Sequence, residues 1–313
     1  MFQYSLDNKR YHTLNYHYYQ KYHCKVIKIS LNAGFTCPNI DGKVGYGGCI
    51  YCSKLGSGDF GGDVNKSLSE QFDEMKEKIS KKWPDGKYIA YFQAHTNTYA
   101  PLDILKEKYE SVLDKKNVVG IAVATRPDAI EEEVLDYLEE LNQKVDVTVE
   151  LGLQTIHEKT AKLINRCHSL AQFEEMVEKL KKRNLEVVVH IINGLPFETK
   201  EMMIDTVKYL NGLNIDGIKI HMLNIIKDTA LANLYFQKHF KVLSKEEYID
   251  VVIQQLEYLR PEIVVHRITS DPDPKNLIEP TWLVKKFCVL NDIDKEMKKR
   301  ESYQGKKLES IHP

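Results

Sequence analysis

Long apolar segments are missing from this sequence of 313 residues, and their absence limits where the protein can work. No stretch approaches the roughly 20 consecutive apolar residues that a membrane-spanning helix needs. The N-terminal stretch is polar and aromatic, whereas a secretory signal has an apolar centre. We therefore expect a cytoplasmic protein without a membrane partner, in a compartment where thiols stay reduced.

An excess of one charge is also missing. Lys and Arg number 44 and Asp and Glu number 45, so the formal net charge is −1. The chain is therefore no polycation, and a nucleic acid would have to bind a local basic face. The sequence also contains no internal repeat and no low-complexity linker. One large domain with short extensions is the expected organisation.

Apolar runs rich in Val and Ile alternate with amphipathic stretches along most of the chain. The runs predict seven strands, at residues 25–31, 88–93, 118–125, 146–153, 186–192, 217–223 and 262–267. The amphipathic stretches predict six helices, at residues 68–82, 101–113, 130–141, 170–183, 201–213 and 245–259.

This alternation predicts an α/β fold of βα units, a partial or full parallel (β/α) barrel over residues 25–270. Residues 1–24 are an aromatic and basic N-terminal extension, and residues 271–313 are a C-terminal extension. The tyrosines of the first extension could stack on bases or pack across the bottom of the barrel. Functional residues are expected at the C-terminal ends of the strands.

Three of the six cysteines are close together, directly after the first predicted strand. Cys37, Cys49 and Cys52 have the spacing C-x11-C-x2-C. Soft thiolates favour zinc or iron–sulfur. A structural zinc normally has four protein ligands, and a nearby fourth is missing because Cys24 precedes the strand. A three-cysteine [4Fe–4S] site with one open iron is favoured, and zinc remains the alternative.

The cysteine motif resembles that of radical S-adenosylmethionine (SAM) enzymes, in the branch that includes the catalytic subunit of the elongator complex. The segment CIYC places Tyr51 at the aromatic position of the family motif. The resemblance implies a [4Fe–4S] cluster whose open iron chelates SAM. An electron from the cluster then cleaves SAM into methionine and a 5′-deoxyadenosyl radical. A flavodoxin or ferredoxin is the implied reducing partner.

Further segments extend this resemblance over roughly residues 20–270. They are QAHTNTYAP at 93–101, ATRPD at 124–128, ELGLQT at 150–155, INRCHS at 164–169 and HIINGLPFE at 190–198. Arg166 resembles the arginine that pairs with the SAM carboxylate, and Gln154 resembles the glutamine that contacts the ribose. The other SAM contacts that the resemblance implies are Gln93, Thr96, Asn97, His190 and Gly194.

The segments RYHTLNYH, KISLNAGFTCPN and DPDPKNLIEPTW resemble a small bacterial branch that lacks the acetyltransferase domain of the elongator subunit. Members of that branch are implicated in maturing the aminomethyl group on the wobble uridine of tRNA. The resemblance thus implies tRNA as substrate, with a carboxymethylaminomethyl side chain. The alternatives are a small-molecule substrate such as a tetrapyrrole precursor and a zinc-stabilised RNA-binding module without enzymatic activity.

Three polar residues near strand ends are candidates for catalysis. Arg126 lies at the end of the third predicted strand, and His221 and His266 lie at the ends of the last two. Residues in such loops face the active end of a barrel. Glu150 could face either the barrel interior or the helix layer.

Overall fold

The computed structural model describes residues 2–54, 56, 61–238 and 240–308. Within these residues, the nine strands are β1 Val26–Leu31, β2 Lys87–Phe92, β3 Val118–Thr125, β4 Asp146–Gln154, β5 Glu186–Asn193, β6 Gly217–Met222, β7 Ile225–Ile226, β8 Val264–Arg267 and β9 Leu277–Glu279. Seven of them are parallel and form one sheet in the order β1-β2-β3-β4-β5-β6-β8. The two short strands, β7 and β9, pair antiparallel in a second sheet.

The sheet curls into a half-barrel, so the fold is the partial form of the predicted (β/α) barrel. Strands that follow one another in sequence are neighbours in the sheet. The right-handed crossovers between them place the connecting helices on the outside of the sheet. The ten helices of the described chain are α1 Leu14–Tyr22, α2 Leu68–Ser80, α3 Leu102–Leu113, α4 Glu132–Asn142, α5 Glu158–Leu163, α6 Leu170–Lys182, α7 Lys200–Leu210, α8 Ala230–Lys238, α9 Lys245–Tyr258 and α10 Lys286–Lys299. None of these described helices is both long and apolar enough to cross a membrane.

The outer face of the sheet is the apolar core. Ile29, Val149 and Val189 are fully buried there, with Phe72 of α2 and Leu180 of α6. The inner face differs, because Glu150 and Lys219 are also buried. The interior of a (β/α) barrel is normally filled with branched aliphatic side chains. Charged residues inside this one therefore mark the half-barrel as a site.

The N-terminal extension packs on the half-barrel. Tyr18 of α1 is buried against Val26, Ile89, Tyr91 and Ala122. Just before α1, Thr13 forms a parallel bridge with Val265 of β8, the strand at the open edge of the sheet. Tyr18 thus serves packing, which is the second of the two roles that the sequence allows.

The C-terminal extension also packs on the core. Helix α10 lies against α9, and its Val289, Ile293 and Met297 are fully buried. Strand β9 pairs with β7, so the segment after β8 returns to the C-terminal end of the sheet.

Candidate functional site

A cavity of about 330 Å³ opens at the C-terminal ends of the strands. Its rim includes Cys37, Cys49 and Cys52, and its floor includes Glu150 and Lys219. One space therefore joins the three thiols to the charged interior of the half-barrel. Chemistry is expected at this end of a parallel barrel, because the loops after all the strands converge there.

The loop that carries the thiols is tied to the segment after β4. Asn39 is fully buried and donates its side-chain amide to Asn165 O at 2.6 Å. Asn165 donates in return to Gly48 O at 2.7 Å. Gly45 packs closely against this pair, since a Cβ there would lie 2.3 Å from Asn39 Oδ1. The loop therefore has a fixed shape that requires glycine at position 45.

The surroundings of the thiols favour thiolate at Cys49. A hydrogen bond with Cys52 lowers the pKa of Cys49 to about 6; burial opposes this shift, and the Arg126 guanidinium adds to it. Arg126 is held by a bidentate pair with Asp128, at 2.9 and 2.8 Å. Burial alone would lower the pKa of Arg126, but Asp128 and the nearby thiolates raise it above its usual range. A permanent cation thus lies beside the thiolates.

This donor set fits an iron–sulfur cluster. Among the described residues, no three His, Cys, Asp or Glu side chains converge as ligands of a single ion. A [4Fe–4S] cluster binds each thiolate through a different iron, so its ligands surround a space rather than meet at a point. All three thiols line the same cavity. Burial and the thiolates of Cys49 and Cys52 raise the pKa of Tyr51 well above its usual range, so its phenol stays protonated.

The structure divides the SAM contacts that the sequence predicts into two groups. Gln93, Thr96, Gln154 and His190 line the cavity together with Tyr51. The remaining three, Asn97, Arg166 and Gly194, are not among the residues that line it. Asn97 is fully buried and donates to Ala94 O and Ala124 O, at 3.1 and 2.8 Å. Gly194 lies behind the wall with a φ of 83°.

Arg166 is fully buried and most of its donors bind backbone, while Nη2 also donates to the Glu158 carboxylate at 3.3 Å. Its Nη1 donates to Leu153 O and Thr155 O, at 2.9 and 2.6 Å. Its Nε and Nη2 both donate to His168 O, at 3.0 and 2.8 Å. Positive φ angles at Asn165 and Cys167 turn the chain so that the guanidinium points back into its own loop. In this arrangement Arg166 fixes the loop and does not reach the cavity.

A network of charged side chains lies at the floor of the cavity, where Glu150, His190 and Lys219 line it and Lys28 lies behind them. The Glu150 carboxylate accepts from Lys28 Nζ at 2.7 Å, from His190 Nε2 at 2.8 Å and from Lys219. Lys219 also donates to the Tyr91 hydroxyl at 3.1 Å and lies over its ring. Glu150 thus faces the interior, which the sequence had left undecided. Glu150 and the two lysines come from β4, β1 and β6.

Burial controls the protonation of this floor. It lowers the pKa of Lys219 to about 7, and attraction to Glu150 offsets only part of that effect. Burial and the charge of Lys219 lower the pKa of His190 to about 4. Burial alone would raise the pKa of Glu150, but Lys219 and Lys28 hold it well below its usual range. The floor therefore holds a permanent carboxylate next to a neutral histidine.

Of the three candidates for catalysis, Arg126 and His221 line the cavity. His266 lies behind its floor, with Nδ1 3.4 Å from Lys28 Nζ. Burial lowers the pKa of both histidines well below the usual range. Sequence reasoning missed Lys28, Lys219 and Tyr91. The available signal was a lysine between two isoleucines in each of the segments IKI at 27–29 and 218–220.

Comparisons with known proteins agree with this geometry. A model of the radical SAM superfamily matches residues 44–210, and a model of the radical SAM C-terminal domain matches residues 215–299. The uncharacterized protein YtqA of Bacillus subtilis is 50% identical over 305 residues, which cover 97% of this chain and 95% of YtqA.

The chain is also similar, more distantly, to larger proteins. The tRNA uridine(34) acetyltransferase of Methanocaldococcus infernus is 28% identical over 160 residues, which are 50% of this chain and 29% of the relative. A solved structure of Elp3 from Methanocaldococcus infernus superposes with a TM-score of 0.69 at 20% identity. The match covers 90% of this chain and 64% of the Elp3 chain, and it shows a shared fold.

Proposed function

Because the chain belongs to the radical SAM superfamily, we propose that it cleaves SAM reductively in order to modify the wobble uridine of a tRNA. The cofactors of this superfamily are a [4Fe–4S] cluster and SAM. In our proposal Cys37, Cys49 and Cys52 bind three irons and leave the fourth open for SAM. The observation that carries it is the single cavity between the three thiols and the charged floor.

The protein's own contribution is position and electrostatics. When bound, the cluster and SAM supply an electron and a 5′-deoxyadenosyl radical that removes a hydrogen atom from a substrate carbon. Arg126 would balance the negative charge of the thiolates beside it. Gln93, Thr96 and Gln154 offer polar groups on the cavity wall for the adenosyl and methionyl parts of SAM. Arg166 would keep the loop after β4 in place.

Two observations support tRNA as the substrate class. Half of the chain is similar to a protein named as a tRNA uridine(34) acetyltransferase. The cavity is also deep, and its floor is charged, which suits a flipped base with a polar side chain better than an apolar ligand. A carboxymethylaminomethyl side chain is the substrate group that we propose. A flavodoxin or ferredoxin would deliver the electron.

The class of reaction is tested by anaerobic reconstitution. Wild-type protein with iron, sulfide, dithionite and SAM is expected to form 5′-deoxyadenosine. The Cys49→Ala variant should lose the product and the cluster absorbance. Cys288→Ala is the matched control, because Cys288 is exposed on α10, away from the cavity. Stoichiometric zinc without iron, together with no SAM cleavage, would contradict the proposal.

The substrate is tested with tRNA that carries carboxymethylaminomethyluridine. The holoenzyme, SAM and a reductant should consume this nucleoside, and mass spectrometry of the digested tRNA measures the loss. Heat-treated protein is the control for chemical decay. Formation of 5′-deoxyadenosine with an unchanged tRNA would leave the superfamily assignment intact and refute the proposed substrate.

A further inference from the structure

The floor of the cavity and the lysine behind it carry more positive than negative charge. Lys28 and Lys219 share one buried carboxylate, that of Glu150. Arg267, at the end of β8, adds a third cation to the cavity wall. Its side chain makes no ion pair or hydrogen bond elsewhere in the described part of the chain. Asp271 also lines the cavity, but it is paired with Lys286 of α10.

This imbalance does not serve stability. Burying an ammonium group costs several kcal/mol, and a buried ion pair rarely returns more than that. A second ammonium on the same carboxylate adds repulsion. The lowered pKa of Lys219 reflects this cost. An anion bound in the cavity would supply the missing charge.

We propose that Lys219 and Arg267 form a subsite for a carboxylate on the substrate, a proposal that rests on the function proposed above. The two residues are register partners on the neighbouring strands β6 and β8, and both line the cavity. An ammonium group has three donors, and Lys219 uses two of them, on Glu150 and on Tyr91. The third donor of Lys219 and the guanidinium group of Arg267 would therefore donate hydrogen bonds to the substrate carboxylate.

The position of the subsite agrees with a substrate arm that reaches inward. Lys219 lies three residues before the end of β6 at Met222, which places it about 10 Å below the rim that carries the thiols. A base at the rim could extend a side chain down to this floor. In a carboxymethylaminomethyl side chain, the carboxylate is the terminal group.

SAM carries a carboxylate as well, so the source of the anion has to be distinguished. The first measurement uses equilibrium dialysis of the anaerobic holoenzyme with two free nucleosides. These are 5-carboxymethylaminomethyluridine and 5-aminomethyluridine, which differ by the carboxymethyl group. The same preparations are then titrated with SAM alone, and with an anticodon stem-loop RNA that carries either nucleoside.

Arg267→Gln is the main variant, because Arg267 is exposed and its loss leaves no buried partner unpaired. The matched control is Lys144→Gln, which removes one exposed charge at the opposite end of the barrel, two residues before β4. Lys219→Met is the second variant, measured once its circular dichroism matches that of the wild type.

Wild type and Lys144→Gln should bind the carboxylated nucleoside about tenfold more tightly than the aminomethyl nucleoside, and both Arg267→Gln and Lys219→Met should lose this preference. If wild type shows no preference for the carboxylated nucleoside, or if Arg267→Gln keeps that preference, the subsite is refuted regardless of the result with the stem-loop RNA. A tenfold loss of SAM affinity in Arg267→Gln would assign the carboxylate to SAM and also refute it. The nucleoside preference without RNA binding would support the subsite and refute tRNA as the substrate.

Discussion

At the scale of single residues, Arg166 shows how a motif residue can act on its own loop. Its guanidinium joins the end of β4 to the start of α6 through Leu153 O, Thr155 O and His168 O. Leu153 O also accepts from Thr155 N at 2.9 Å, so Thr155 O and His168 O depend most on the buried guanidinium. An unpaired buried carbonyl costs about 1–3 kcal/mol.

Arg166→Lys is therefore expected to destabilise the protein by about 3 kcal/mol, because one ammonium cannot replace the planar set of donors. Urea unfolding of the apo protein measures the change. Arg183→Lys is the matched control, since Arg183 pairs at the surface with Glu132 and Asp136. The control should change stability by less than about 1 kcal/mol. Equal stability of both variants would show that Arg166 has no clamping role.

At the scale of elements, the strands of the half-barrel were largely predictable, and the faces of those strands were not. Predicted and observed limits of β3 are identical, and those of β4 and β5 differ by one residue. Valine and isoleucine runs identify such strands. A parallel strand is buried on both faces, however, so its apolar pattern does not show which residues point inward. Lys28 and Lys219 were missed for this reason.

The elements outside the repeating units were less predictable. Four helices (α1, α5, α8 and α10) and the short strands β7 and β9 were absent from the predicted elements. Strand β8 starts at Val264 rather than at residue 262, because Ile263 N donates to Arg260 O in a turn. The rim of the site was predictable from the cysteine spacing. Its floor was not, because it combines side chains from strands far apart in sequence.

The Glu150 carboxylate joins charged side chains from several strands, so its removal should lower the free energy of unfolding. Glu150→Gln leaves Lys28 and Lys219 without an anion, at an expected cost of about 3–5 kcal/mol near pH 6, where Lys219 is still protonated. The cost should shrink toward pH 9, because Lys219 can lose its proton in the folded state. Urea unfolding of the apo protein at both pH values measures this.

The double variant Glu150→Gln/Lys219→Met is the control for this coupling. It removes one charge of each sign, so its destabilisation should be smaller than the sum of the two single changes. An additive result, or a cost for Glu150→Gln that does not depend on pH, would mean that the carboxylate does not stabilise the buried ammonium groups.

At the scale of the whole molecule, three buried or half-buried histidines contribute to the response to acid. His17 of α1, His168 of the loop before α6 and His190 of β5 lie in three different parts of the fold. Burial lowers the pKa of each to about 4; His12 adds to this shift for His17, Arg166 for His168 and Lys219 for His190. In the unfolded chain a histidine has a pKa near 6.5.

Between pH 6.5 and 4 the unfolded chain therefore binds protons at these three positions that the folded chain does not, and the free energy of unfolding must fall as the pH falls. Each histidine contributes up to about 1.4 kcal/mol per pH unit. Urea unfolding of the apo protein at pH 7, 6 and 5 measures the slope. His168→Gln should reduce the pH dependence of the free energy of unfolding by the contribution of one histidine. His23→Gln, a change at an exposed position, should leave this pH dependence as in wild type. A free energy of unfolding that stays constant from pH 7 to 5 would show that these histidines take up protons without unfolding.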